Sequence, residues 1–169
     1  MLLISAALLL AAAPAGGQAQ ADQFLTYLVG TWGVVSVDPA GGDPLRVCYS
    51  VQPFVGDKWI SGVAVSATPG FGSKDVWGVD GSTGELTRTI FDVSGTYAVV
   101  RSPGWADNAL VLEGNALSSG GSMRVRETIR RVGPDEFTAT WEAFRKDKWS
   151  AYAVETAKRV GKEECGLPS

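Results

Sequence analysis

Glu127 is the polar residue with the most to explain. It stands between Val125 and Ile129, and with Met123 and Arg131 these residues form one alternate set of a β-like segment. The other set, Arg124, Arg126, Thr128 and Arg130, suits solvent, so the Glu127 set faces a core. A carboxylate there must be paired or neutral, because isolated charge away from water is costly. Arg88, between Leu86 and Ile90, offers the partner guanidinium from another segment. Tyr49 and Tyr97 add hydroxyls, and Trp77 and Trp141 add indoles. Such a set could orient the polar head of a small ligand inside an apolar pocket. Tyr49, Trp77, Arg88, Tyr97, Glu127 and Trp141 are therefore the candidate ligand-binding residues. The opposing reading has twist or a bulge turning Glu127 or Arg88 to water, and the indoles filling a core.

The 169 residues include no histidine and only two cysteines. That excludes a serine–histidine–aspartate triad, a cysteine–histidine dyad, histidine-ligated zinc and histidine-ligated haem. The carboxylates show neither a calcium-loop pattern nor a spacing that selects a glycosidase pair. Gly70-Phe71-Gly72 and Gly120-Gly121 lack the Walker lysine, so they read as turns. No catalytic residue, metal ligand or cofactor is assigned. An enzyme built on this chain would move protons with Glu, Asp, Tyr, Arg or Lys, and the reading leans away from catalysis. A net charge of −3 argues against nucleic acid as a partner. Arg124, Arg126 and Arg130 form a basic stripe that suits a solvated strand with acidic neighbours, or else a docking stripe for an anionic partner.

Residues 1–21 carry no charged side chain. Leu2–Ala13 is apolar apart from Ser5, and Ala19-Gln20-Ala21 has the small-x-small pattern of a signal-peptidase site. The run is too short to span a bilayer, and no other stretch in the chain is long and apolar enough. The expectation is a cleaved export signal and a periplasmic or secreted protein. In an oxidising compartment Cys48 and Cys165 are expected to form one disulfide closing a loop of roughly 117 residues.

Positioning these side chains requires strands. Asp22–Val29 reads as a short helix, capped by Asp22 and ended by Gly30. The rest reads as ten short strands between Gly, Pro, Asp and Ser clusters. They cover Thr31–Val37, Leu45–Gln52, Lys58–Ser66, Lys74–Val79, Leu86–Asp92, Thr96–Ser102, Ala109–Gly114, Ser122–Val132, Glu136–Arg145 and Ser150–Arg159. The last is ambiguous, since Ala151, Val154 and Ala157 also fit a helical turn. The intervals suit hairpins and leave no room for helical crossovers. Ten such strands need closed edges, and an up-and-down antiparallel β-barrel supplies them, with a sandwich as the alternative. The predicted organisation is a signal over 1–21, one all-β barrel over 22–160 and a tail over 161–169.

The Gly30-Thr31-Trp32 opening after a helix resembles the G-x-W start of lipocalin-like (calycin) barrels, and Arg159 resembles their closing arginine. Leu28 to Trp32, Trp77-Gly78-Val79-Asp80, the late Arg-x-Arg-Glu strand and Phe137-x-x-x-Trp141-Glu142 together are similar to a bacterial family of uncharacterised exported domains. The resemblance implies a lipocalin- or nitrobindin-like barrel over most of residues 23 to 159. Nitrobindin-like haem binding needs a histidine, which this chain lacks. Trp32 and Arg159 are expected to serve the fold through a cation–π contact. Trp105 and Trp149 stand beside loops and could form a rim at one mouth. The function read from the chain is an exported, non-catalytic module holding a small apolar or amphipathic ligand. The alternatives are a packed envelope protein without a ligand and a histidine-free enzyme.

Overall fold

Alternation at a period of two gives each strand one face for a core, and the strands use that face to close on themselves. The computed structural model describes residues 24–56, 58–66 and 70–165; the expected signal segment and Asp22 lie outside them. The strands are β1 (Gly30–Val37), β2 (Leu45–Val55), β3 (Trp59–Ser66), β4 (Gly72–Val79), β5 (Leu86–Asp92), β6 (Tyr97–Ser102), β7 (Trp105–Ala106), β8 (Ala109–Ser118), β9 (Gly121–Gly133), β10 (Glu136–Arg145) and β11 (Lys148–Arg159). Sequential neighbours pair antiparallel from β1 to β6 and from β7 to β11; β1 pairs with β11, and β6 pairs with β8. The result is a closed ten-strand antiparallel barrel, with the two-residue β7 attached to β8.

A short helix, α1 (residues 24–28), plugs one end. Phe24, Leu25 and Leu28 are almost fully buried beneath it. Beside them Trp32 packs edge-on against Phe137, with centroids 4.9 Å apart, and its Nε1 donates to the Leu28 carbonyl at 2.8 Å. The Arg159 guanidinium lies 4.2 Å from the Trp32 ring centre. It donates to the Tyr27 and Val29 carbonyls at 2.9 and 2.8 Å, satisfying acceptors that the helix end leaves open. Gly30, at φ +134°, leaves room for that guanidinium, which a Cβ would strike.

The disulfide is present between Cys48, on the outer face of β2, and Cys165 beyond β11, with Cα atoms 5.5 Å apart. β11 is a strand throughout. Its register slips opposite Trp141 and Glu142, where Ala153 and Ala151 are the partners and Tyr152 is left between them. One extra residue breaks the period of two, which is why this segment also reads as a helical turn.

Candidate functional site

Inward positions at mid-barrel carry a continuous polar network. Trp77 Nε1 donates to the Tyr49 hydroxyl at 2.9 Å, and that hydroxyl donates to Asp75 at 2.9 to 3.0 Å. Arg88 donates to Asp75 through Nε and Nη2 at 2.9 and 2.6 Å. Its Nη1 reaches both Glu127 oxygens at 2.7 and 2.6 Å. The guanidinium lies between two indoles, 4.3 Å from the Trp77 centroid and 5.5 Å from that of Trp141. Five residues from β2, β4, β5 and β9 thus share one buried proton and charge arrangement.

Gly62 on β3 makes the network possible. A Cβ there would run into the Tyr49 ring and the Asp75 carboxylate. A glycine inside a strand marks close approach, and here what approaches is a phenol–carboxylate pair.

The electrostatics follow from burial and pairing. Burial works against the Arg88 charge, but Glu127 and Asp75 overcome it and hold the guanidinium more firmly protonated than usual. Burial lifts the Glu127 carboxyl above its ordinary range, against the pull of Arg88. Burial and then Asp75 push the Tyr49 hydroxyl well up, so it remains a donor.

A third carboxylate enters from β11. Glu155 is half-buried on the inward face, and burial together with the Glu127 charge pushes it up to about 7. Arg88 and a hydrogen bond with Ser36 pull the other way. Beyond Glu155 a cavity of about 360 Å3 opens toward the end opposite α1, lined among others by Leu45, Phe71, Ile90, Val125 and Trp141. A narrower space of about 100 Å3 continues from it past Glu155 to Tyr49, Arg88 and Glu127.

Comparison with known proteins yields an architecture. No family model matches the chain, and no curated protein matches it. The crystal structure of Rv2717c from M. tuberculosis superposes with a TM-score of 0.58 at 15% identity, covering 83% of this chain and 98% of that one. A redesigned beta barrel, mFAP1, bound to DFHBI, aligns with a TM-score of 0.40 at 20% identity, covering 83% and 99%. The likeness to Rv2717c is one of fold. Rv2717c aligns over most of this chain yet shares few residues with it, so the chemistry must be read from the side chains themselves.

Of the candidates taken from the sequence, Tyr49, Trp77, Arg88 and Glu127 meet in the network, and Trp141 lines the cavity above it. Tyr97 does not join them. Ala98, Val100 and Ser102 take the inward positions of β6, so Tyr97 points outward and stacks on Phe91 with centroids 6.4 Å apart. Trp105 and Trp149 share no rim either. Trp105 packs on Phe24 at the plugged end, while Trp149 packs on Phe144 at the other, beneath Arg126. The outer arginines of β9 pair with acidic neighbours: Arg124 with Glu113 and Arg126 with Glu142, both at 2.7 Å. Arg131 turns inward over Tyr27, 4.1 Å from its centroid.

Sequence reasoning missed Asp75 and Glu155. Asp75 alternates with Ser73, Trp77 and Val79 on β4, so its inward position was there to be found. Glu155 was hidden by the register slip at Tyr152, which obscured which face it takes.

Proposed function

We propose that this protein is an exported, non-catalytic binding module that holds one small amphipathic molecule in the open half of the barrel. The observation that carries the reading is the cavity of about 360 Å3, apolar along its walls and charged at its floor. Pockets for small ligands have this composition, with few polar groups fixing orientation. The apolar part of the ligand packs against Leu45, Phe71, Ile90 and Val125; its head reaches Glu155 and the Arg88–Glu127 pair. Burying about 200 Å2 of apolar ligand surface contributes roughly 5 kcal/mol before the cost of immobilisation. A barrel packed solid by aromatics would favour a purely structural role; the cavity speaks against that.

Export is supported by the character of residues 1–21 and by the disulfide, which persists in oxidising compartments. The G-x-W opening and closing arginine support kinship with lipocalin- and nitrobindin-like barrels, without the histidine that haem binding there requires. The test is a fluorescence titration with N-phenyl-1-naphthylamine, a neutral apolar probe. Saturable binding to one site is expected, and loss of it in Ala116→Trp, which fills the cavity wall. Failure of the wild-type protein to saturate rejects the reading. Sequencing the mature N-terminus tests export: a chain still starting at Met1 rejects cleavage after residue 21.

A further inference from the structure

We infer that the ligand carries a protonated amine and that Glu155 is its counter-ion. This rests on the binding reading above and names the class of molecule bound.

The charges facing the interior at mid-barrel do not balance. Asp75, Glu127 and Glu155 stand against one cation, Arg88. That cation is spent. Its Nε and Nη2 face Asp75 and its Nη1 faces Glu127, so each nitrogen of the guanidinium already has a carboxylate partner other than Glu155. No ion pair to Glu155 occurs among the described residues; across the β1–β11 pairing it stands opposite Ser36, a neutral hydroxyl. Glu155 lines both the cavity and the narrower space beneath it, so its carboxylate stands where a ligand head would arrive.

Three kinds of head group meet this site differently. An anion would face Glu155 and Glu127 with no free cation to receive it. A neutral head would leave Glu155 to keep its proton as a neutral carboxyl, with no charge to attract the ligand. An ammonium would supply the missing charge and donate a charge-assisted hydrogen bond to Glu155. The aromatic faces agree: Trp141 and Tyr152, whose centroids are 6.5 Å apart, flank the same cavity, and indole and phenol rings attract cations. The cation is organic. No three metal-ligating side chains converge among the described residues, and the remaining wall is apolar.

The experiment is isothermal titration calorimetry of the full-length mature protein with octylamine, octanol and octanoate, which share one chain and differ in head charge. Octylamine is expected to bind about tenfold tighter than octanol, and octanoate more weakly than either. Glu155→Gln should bring octylamine level with octanol. Octanoate binding as well as octylamine overturns the inference, as does an amine preference that survives Glu155→Gln. If N-phenyl-1-naphthylamine saturates the site but the wild-type protein shows no amine preference, the amine inference alone falls. If neither that probe nor any of the three octyl compounds binds, the binding reading falls with it.

Discussion

The two halves of the barrel solve the same geometric problem in opposite ways. A ring of ten strands is wide, and its interior must be filled or left as a cavity. At the α1 end the inward positions carry Trp32, Leu86, Val100 and Leu110, each 0 to 1% exposed, and Phe24 and Leu28 drop in from the helix. Toward the other end they carry Ser36, Ser73, Ala98, Ala116 and Ala153, all of which line the cavity. Residue volume at equivalent inward positions thus decides where the space lies. The Tyr49–Asp75–Arg88–Glu127 network marks the boundary, with packed apolar side chains on one side and a charged floor on the other.

The sharpest way to break this contrast is Trp32→Ala, which deletes a fully buried indole from the filled half. It should cost about 3–5 kcal/mol in chemical denaturation. A loss under about 1 kcal/mol would mean that this half is not the stabilising one. Next comes Gly62→Ala at the boundary. The new methyl displaces Tyr49 or Asp75 and should cost about 1–3 kcal/mol by overpacking. It should also weaken octylamine binding by altering the floor, whereas a substitution remote from the floor would not.

Glu155 gives a pH signature confined to the open half. Its carboxyl rises from its ordinary 4.5 to about 7 through burial and the Glu127 charge, against Arg88 and the Ser36 hydrogen bond. Tyr152, pushed to about 12 by burial and then by Glu127 and Glu155, keeps its proton throughout. Between pH 4.5 and 7 the folded protein therefore holds a proton that the unfolded chain has released. Stability contributed by this group is present at low pH, falls as pH rises through that window and levels off above it. Glu155→Gln should remove this slope. A wild-type minus variant difference that is flat from pH 4.5 to 7 would contradict it. The smallest effect is expected for Phe71→Ala at the mouth, where the ring is 39% exposed: under about 1 kcal/mol in stability, but a clear loss of probe affinity.

The contrast between halves also governs what could be read from the sequence. β10 has the bounds that alternation and turns indicate, because Phe137, Ala139, Trp141 and Ala143 give it one clearly apolar face; β5 matches through the turn residues that flank it. The Glu127–Arg88 partnership was legible for the same reason: each lies between two apolar residues at a spacing of two. Tyr97 was not, since β6 carries apolar residues on both faces and period alone cannot choose between them. β7 is only two residues long and offers no period at all. Glu155 lies beyond a bulge, and a single inserted residue there exchanges inside for outside. The network itself is a tertiary fact. The inward position of Asp75 is legible from alternation on β4, but its partners, and the role of Gly62, emerge only once β2, β3, β4 and β5 stand side by side.

Because β6 pairs with β8 the ring has no seam, and because α1 seals one end the cavity is a blind tube. A molecule inside and its replacement must use the same doorway, one at a time. Turnover of occupants is then strictly sequential. Adding more of a competitor cannot hasten departure, and at saturation the displacement rate equals the resident's own escape rate. If the barrel binds as proposed, the rim around Phe71 and Tyr152 governs how long a guest stays, while Glu155 and the walls govern which guest is held.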